Sequence, residues 1–211
     1  MASVLDKRTC LIFLDIDGVL NNSDIYPVIR AEQKLYPNVR HGELSLSQHL
    51  TAPSDCFDPG ALKKLYNLIQ EIRRFAEPKT VISSNWRKNQ TVEELREVIF
   101  KKHKFAELII DKTADYVLNK KGGIRQSGSE INRWLKNHKK PTGQNINLSP
   151  ILGDNDDAIY RKFPDCFVKT EAEYLLSIED VKEALKLLKK MVDEPTLEEM
   201  ADAYNEMEFP K

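Results

Sequence analysis

The chain has 211 residues, with 32 Lys and Arg against 33 Asp and Glu, a formal net charge of −1; 41% of it is hydrophobic and 31% charged. That balance excludes a uniformly basic nucleic-acid coat and an acidic disordered chain, and the apolar fraction suffices for a real core at this length. No apolar run approaches the roughly 18 residues of a membrane span, and the segment before Cys10 does not read as a cleavable signal. Cys10, Cys56 and Cys166 form an odd, widely spaced set without a CxxC, which argues against a disulfide framework or a zinc knuckle. A cytoplasmic globular domain with elaborations is the expectation.

The first predicted element is Cys10-Leu-Ile-Phe-Leu14, a continuous apolar run entering Asp15-Ile-Asp-Gly18, which reads as a buried strand of a parallel sheet. Residues 21–57 follow as an insertion without sustained periodicity, expected to be a functional or mobile loop. Asp58-Pro59-Gly60 reads as a helix start, with Leu62, Leu65, Leu68, Ile69 and Ile72 on one face. Thr80–Ser83 is a second strand. Thr91 and Glu94 make a capping box for a helix from Val92 to about Lys102. Leu108–Ile110 is a third strand, Ser129–Lys139 a helix, and Ile151–Leu152 a strand that runs into Gly153-Asp-Asn-Asp-Asp157. Phe167–Val168 is an edge strand and Ser177–Val192 a long amphipathic helix. Alternation of strands and helices predicts an α/β fold with a mostly parallel sheet over residues 1–192. The stretch 193–211 holds seven acids and one Lys, and reads as a helix or a linker to a further domain or partner.

Three predicted strand ends carry polar clusters: Asp15 and Asp17, Ser83-Ser84-Asn85-Trp86-Arg87, and Asp154 to Asp157. Ligands of open parallel sheets bind outside the carboxyl ends of the strands. Two aspartates at i and i+2, joined by a third from another strand, form a hard oxygen cage of the kind that suits Mg²⁺. A divalent cation would also relieve their mutual repulsion.

Phe13-Leu-Asp-Ile-Asp-Gly-Val19 resembles the first motif of the haloacid dehalogenase (HAD) superfamily in its phosphatase form. Val81-Ile-Ser-Ser-Asn85 is similar to the second motif, and Leu152-Gly-Asp-Asn-Asp-Asp157 to the fourth; order and spacing agree over roughly Leu11 to Leu188. The resemblance implies a Rossmann-like parallel sheet sandwiched between helices, and phosphoryl transfer in two steps. Asp15 would be the nucleophile and form an aspartyl-phosphate; Asp17 would protonate the leaving oxygen and then activate water. Asp15, the backbone carbonyl of Asp17, and Asp154 would hold Mg²⁺, with Asn155 a further possible ligand. The second aspartate implies a phosphatase, since dehalogenases and phosphonatases typically lack it. Ser84 would bind the phosphoryl oxygens, with Ser83 its competitor, and Asn85 and Arg87 would line the site. The third-motif base would be Arg125, with Lys120 and Lys121 as competitors.

The plainer readings are a turn for Asp15-x-Asp17, a helix cap for Asp156 or Asp157, packing for Trp86, surface positions for His41, His49, His103 and His138, and incidental or buried cysteines. The Cys-x5-Arg signature of cysteine phosphatases is absent. The 37 residues of the insertion fall below the roughly 40 an independent cap needs. An open site predicts a macromolecular phosphorylated substrate. The leading expectation is a protein phosphatase for phosphotyrosine, with Tyr26, Pro27 and Tyr36 framing the ring. The alternatives are a nucleotide or polynucleotide-end phosphatase, drawing on the seven Lys and Arg against one Glu in residues 120–140, and a non-catalytic HAD-like module.

Overall fold

The structure, a computed structural model, describes residues 9–21, 57–88, 90–114, 127–138, 150–154 and 157–193. Strand β1 (Thr9–Leu14) is buried from Cys10 onward, as its unbroken apolar run requires of a strand with layers on both faces. Helix α1 (Pro59–Ile72) begins as predicted: the Asp58 carboxylate accepts from the Ala61 N–H at 2.7 Å, and Pro59 occupies the first turn. Strand β2 is Glu77–Ile82, three residues longer at its start than Thr80 implies. It pairs with β1 over its whole length, from Thr9↔Glu77 to Leu14↔Ile82.

Helix α2 keeps the capping box, with Thr91 and Glu94 each satisfying the other's backbone, but covers only Val92–Glu94. The chain then widens into a π segment, Leu95–Ile99, so the regular helix expected to Lys102 does not form. Strand β3 (Ile109–Lys112), helix α3 (Ser127–His138), strand β4 (Ile151–Gly153), helix α4 (Asp157–Lys162), strand β5 (Phe167–Lys169) and helix α5 (Ile178–Asp193) complete the described elements.

The five strands form one parallel sheet in the order β3-β2-β1-β4-β5. Phe167–Lys169 is an edge strand, as predicted. Alternation along β1 divides the core. Ile12 and Leu14 face one cluster with Leu65, Leu68 and Ile72 of α1 and Val181, Ala184 and Leu188 of α5. Leu11 and Phe13 face the other, with Ile131 and Trp134 of α3 and Ile159 of α4. Helices therefore cover both faces of a Rossmann-like sheet. Trp134 fixes α3 in place twice: its ring meets Phe13 edge-on at 5.4 Å, and its indole N–H donates to the Asp111 carboxylate at 2.6 Å.

The topology selects one place for a ligand. From β1 the chain moves outward through β2 and β3, then returns to the other side of β1 as β4. The strand order reverses between β1 and β4, and the crevice beyond their carboxyl ends is the binding position in sheets of this kind.

Among the described residues, no helix is long and apolar enough to cross a membrane. Burial pushes the Cys10 thiol up to about 12, and burial and then Asp165 raise that of Cys166, so neither supplies a ready thiolate. Cys56, His41, His49, most of the 21–57 insertion and nearly all of the acidic tail lie outside the described residues.

Candidate active site

Asp15 stands one residue beyond β1, at the β1/β4 crevice. Its N–H donates to the Leu152 carbonyl at 2.9 Å, which anchors the turn to the neighbouring strand. Its carboxylate accepts from the Ile16 N–H at 2.7 Å and from the Ser84 hydroxyl. Asp154 leaves the end of β4 beside it.

The close packing of these two strand ends can be read at Gly18, which has φ +75°. A Cβ placed there would lie 2.3 Å from the Asp154 Cβ and 2.6 Å from its Oδ2. Only glycine satisfies both the backbone conformation and the space. Thr170, just past β5, holds the same turn: its hydroxyl donates to the Gly18 carbonyl at 2.8 Å, and its N–H to the Gly153 carbonyl at 2.9 Å. Gly18→Ala is therefore expected to displace Asp154 and to cost about 1–3 kcal/mol, to be read by denaturant unfolding.

Ser84 and Ser83 are separated by geometry. The Ser84 oxygen caps the 3₁₀ turn Asn85–Arg87 by accepting from the Trp86 N–H at 3.3 Å, leaving its proton for Asp15. Ser83 instead continues the β2 ladder, its N–H donating to the Leu14 carbonyl at 2.9 Å. Asn85 is exposed at the start of the turn.

Arg87 is not where a substrate-lining residue would be. It is 1% exposed, and its guanidinium is spread over the carbonyls of Ser83, Ser84, Thr113 and Ala114 and the Glu130 carboxylate. Five fixed donors let one side chain bind the second strand end to β3 and α3. The expectation that Arg87 contacts substrate is corrected: it is a buried tie beneath the site.

For Asp17 the residue spacing alone suggests a place in a three-carboxylate cage, whereas the HAD resemblance implies only its backbone carbonyl as a ligand. Among the described residues, no three His, Cys, Asp or Glu side chains gather into a metal-holding group. The Asp17 carboxylate is engaged by Trp86, whose indole N–H donates to its Oδ1 at 2.9 Å. Asn21, with its amide nitrogen toward the acceptors, reaches the same oxygen at 3.1 Å and the Ile16 carbonyl at 3.0 Å. Among the described residues, the donors open to a cation are the Asp15 and Asp154 carboxylates and the Asp17 carbonyl. The donors are hard oxygens on two adjacent strand ends, and the Asp154 carboxylate is pressed against the bare backbone of Gly18. This set fits Mg²⁺, which takes a couple of carboxylates and keeps the rest of its shell for water and phosphate.

Electrostatics agree. Burial, aided by the charges of Asp17 and Asp154, pushes the Asp15 carboxyl from its ordinary 3.8 up to about 7, against the lowering bonds from Ile16 and Ser84. A carboxyl that holds its proton more tightly when folded loses stability as pH rises through the interval from about 4 to about 7. Without divalent cations, Asp15→Asn should therefore be more stable than the parent at pH 8, by up to a few kcal/mol, and equal to it below pH 4. Mg²⁺ should raise the melting temperature of the parent at pH 8 and leave that of Asp15→Asn nearly unchanged. Thermal melts at the two pH values check both statements.

Arg125, Lys120, Lys121, Asn155 and Asp156 lie outside the described residues, and Asp157 is described only as the first residue of α4. The sequence reading missed Asn21, Thr170 and Glu130. Thr170 and Glu130 have partners set by the fold rather than by a local motif, whereas Asn21 bonds within its own turn, to Ile16 and Asp17.

A parallel Rossmann-like sheet with an aspartate pair on its central strand, a serine at the end of the next and an aspartate across the switch point defines a HAD-type domain. The family model described as the HAD domain in Swiss Army Knife RNA repair proteins matches residues 11–181, and the chain belongs to this family. Its HAD-type fold is that of a family of hydrolases, phosphatases among them, that generally use Mg²⁺. A comparison with curated proteins found no match.

Proposed function

We propose that this protein is a Mg²⁺-dependent phosphomonoesterase that removes a terminal phosphate from a nucleic-acid end through an aspartyl-phosphate on Asp15. The observation that carries the reading is the setting of Asp15: buried at the switch point, bonded by the Ser84 hydroxyl, and flanked by Asp154.

In the first step an Asp15 oxygen attacks phosphorus; the bond from phosphorus to the ester oxygen breaks, and that oxygen takes the proton of Asp17. In the second, Asp17 takes a proton from water, the water oxygen attacks phosphorus, and inorganic phosphate leaves with Asp15 regenerated. Ser84 donates its hydroxyl proton to a phosphoryl oxygen in place of Asp15. Asn85 borders the entrance, and Arg125 offsets phosphate charge. Mg²⁺, held by Asp15, Asp154 and the Asp17 carbonyl, would supply neutralisation between the carboxylates and the phosphate dianion.

Two things favour a nucleic-acid end as substrate. One is the family's occurrence in RNA repair proteins. The other is the basic 120–140 stretch, in which Arg133 and Lys136 are exposed on α3. The phosphotyrosine reading draws on an open site beneath a short insertion, which suits a nucleic-acid end equally, and on Tyr26, Pro27 and Tyr36, which lie outside the described residues.

The test is a panel of 3′- and 5′-phosphorylated RNA and DNA oligonucleotides, mononucleotides, a phosphotyrosine peptide and a phosphoserine peptide, each with Mg²⁺ and with EDTA. Preferential turnover of an oligonucleotide end, abolished by EDTA, is expected. Preference for the phosphotyrosine peptide would overturn the substrate assignment. Activity in EDTA, or none on any phosphomonoester, would overturn the mechanism.

A further inference from the structure

We infer that Trp86 is a positioning residue for acid catalysis: its indole N–H aims the Asp17 carboxyl at the leaving oxygen. The inference rests on the reading of Asp17 as general acid. A tryptophan two residues past a conspicuous serine pair reads most simply as packing, and its ring does pack. Phe57 lies against it at 5.8 Å and is itself stacked on Phe100 at 5.2 Å, the two planes 16° apart.

That packing leaves the indole little rotational freedom, and its single polar atom is directed across the site. Nε1 donates to Asp17 Oδ1 at 2.9 Å, a contact between residues 69 apart in sequence. The Trp86 backbone N–H meanwhile bonds the Ser84 oxygen. One residue thus links the second strand end to both the phosphoryl-binding serine and the acid.

The consequence follows from carboxyl chemistry. A carboxyl group has two oxygens, and only one carries the transferable proton. An N–H donor bonds the carbonyl oxygen of a carboxyl better than its hydroxyl oxygen. Trp86, together with the Asn21 amide, engages Oδ1, so Oδ2 is the oxygen left to face the leaving group. The indole sets which oxygen is left for proton transfer and how the carboxyl plane lies. A misplaced acid matters only where the leaving oxygen needs a proton. Ribose and other alkyl alkoxides need one as the ester bond breaks; p-nitrophenolate, a good leaving group, hardly does.

The experiment compares the parent, Trp86→Phe, Asp17→Asn, the double variant and Asp15→Asn on p-nitrophenyl phosphate and on an alkyl or ribose phosphate. It reads kcat/KM, which reports the ester-cleaving step. Trp86→Phe keeps an aromatic ring against Phe57 and deletes the donor, together with part of the indole's bulk. It should lower kcat/KM for the alkyl ester by about tenfold or more, and for p-nitrophenyl phosphate by less than about threefold. Asp17→Asn should show the same pattern with larger losses, and adding Trp86→Phe to it should cost almost nothing more.

Equal losses on both substrates, or additive losses in the double variant, would overturn the inference and leave Trp86 a packing residue. Asp15→Asn separates the two levels. If it keeps activity on both substrates, the mechanism beneath the inference fails; if it is dead while Trp86→Phe does not discriminate, only the inference fails. Far-ultraviolet circular dichroism and thermal melts of Trp86→Phe confirm that the compared protein is folded.

Discussion

Asp15→Asn should remove nearly all turnover, by at least about a thousandfold in kcat or roughly 4 kcal/mol of barrier, while leaving a folded protein. Asparagine is close in size and keeps one acceptor for the Ile16 N–H and Ser84, so the turn loses little. What goes is the nucleophilic oxygen and, with it, the charge that burial and two neighbouring carboxylates make costly to keep there. Loss of activity together with unchanged or higher stability in cation-free buffer is the signature of a residue held against its own solvation for chemistry. Ser84→Ala should be milder, about 10- to 100-fold, because it removes one hydrogen bond to the phosphoryl group and one cap of a short turn. Steady-state kinetics beside thermal melts distinguish these cases.

Arg87→Met should show the reverse pattern, with stability lost first. Breaking a buried ion pair from one side costs about 3–5 kcal/mol, because the Glu130 carboxylate is left charged in a water-poor place. Four carbonyls also lose a donor. For a domain of this size that is a fall of about 10 °C in melting temperature. Arg87→Lys should recover only part of it, since an ammonium cannot reach so many acceptors in one plane. Glu130→Gln, which removes the charge from the other side, should be tolerated better than Arg87→Met. Urea unfolding of the three variants measures this directly. A stable Arg87→Met with a raised KM would return Arg87 to the substrate site.

Legibility in the sequence followed the range of the interaction. The β1 run, the Asp58 cap, the Thr91 capping box and the edge strand Phe167–Lys169 depend on neighbours within a few residues, and all are present. The start of β2 was obscured because Glu77-Pro-Lys79 looks like loop. It is strand because β1 pairs along it, and Pro78 lies in the part of β2 that precedes its pairing with β3, where one side of the strand asks for no donor. Nothing local announces that the helix after Glu94 widens into a π segment.

At the site, motif order pointed to Asp15, Ser84 and Asp154, which the fold brings to neighbouring strand ends, but residue type misled for Arg87. Arg87 is cationic and lies next to a stretch similar to the family's second motif, so it reads as a ligand contact. Its burial is set by Glu130, 43 positions away. For Asp17, spacing alone points to the carboxylate and the family resemblance to the backbone carbonyl; the Trp86 contact that engages the carboxylate spans 69 positions. Long-range polar pairing of this kind leaves no period in a sequence.

The central claim is that Asp15 carries the phosphoryl group between the two steps, and it can be tested by direct detection. The protein is mixed with a phosphorylated substrate and Mg²⁺, quenched in acid during turnover, digested and analysed by mass spectrometry. The account predicts one added phosphoryl group on the peptide containing Asp15, localised to Asp15 by fragmentation and missing from Asp15→Asn. Turnover with the phosphoryl group on another residue, or phosphate release in Asp15→Asn at the parent's rate, would contradict it.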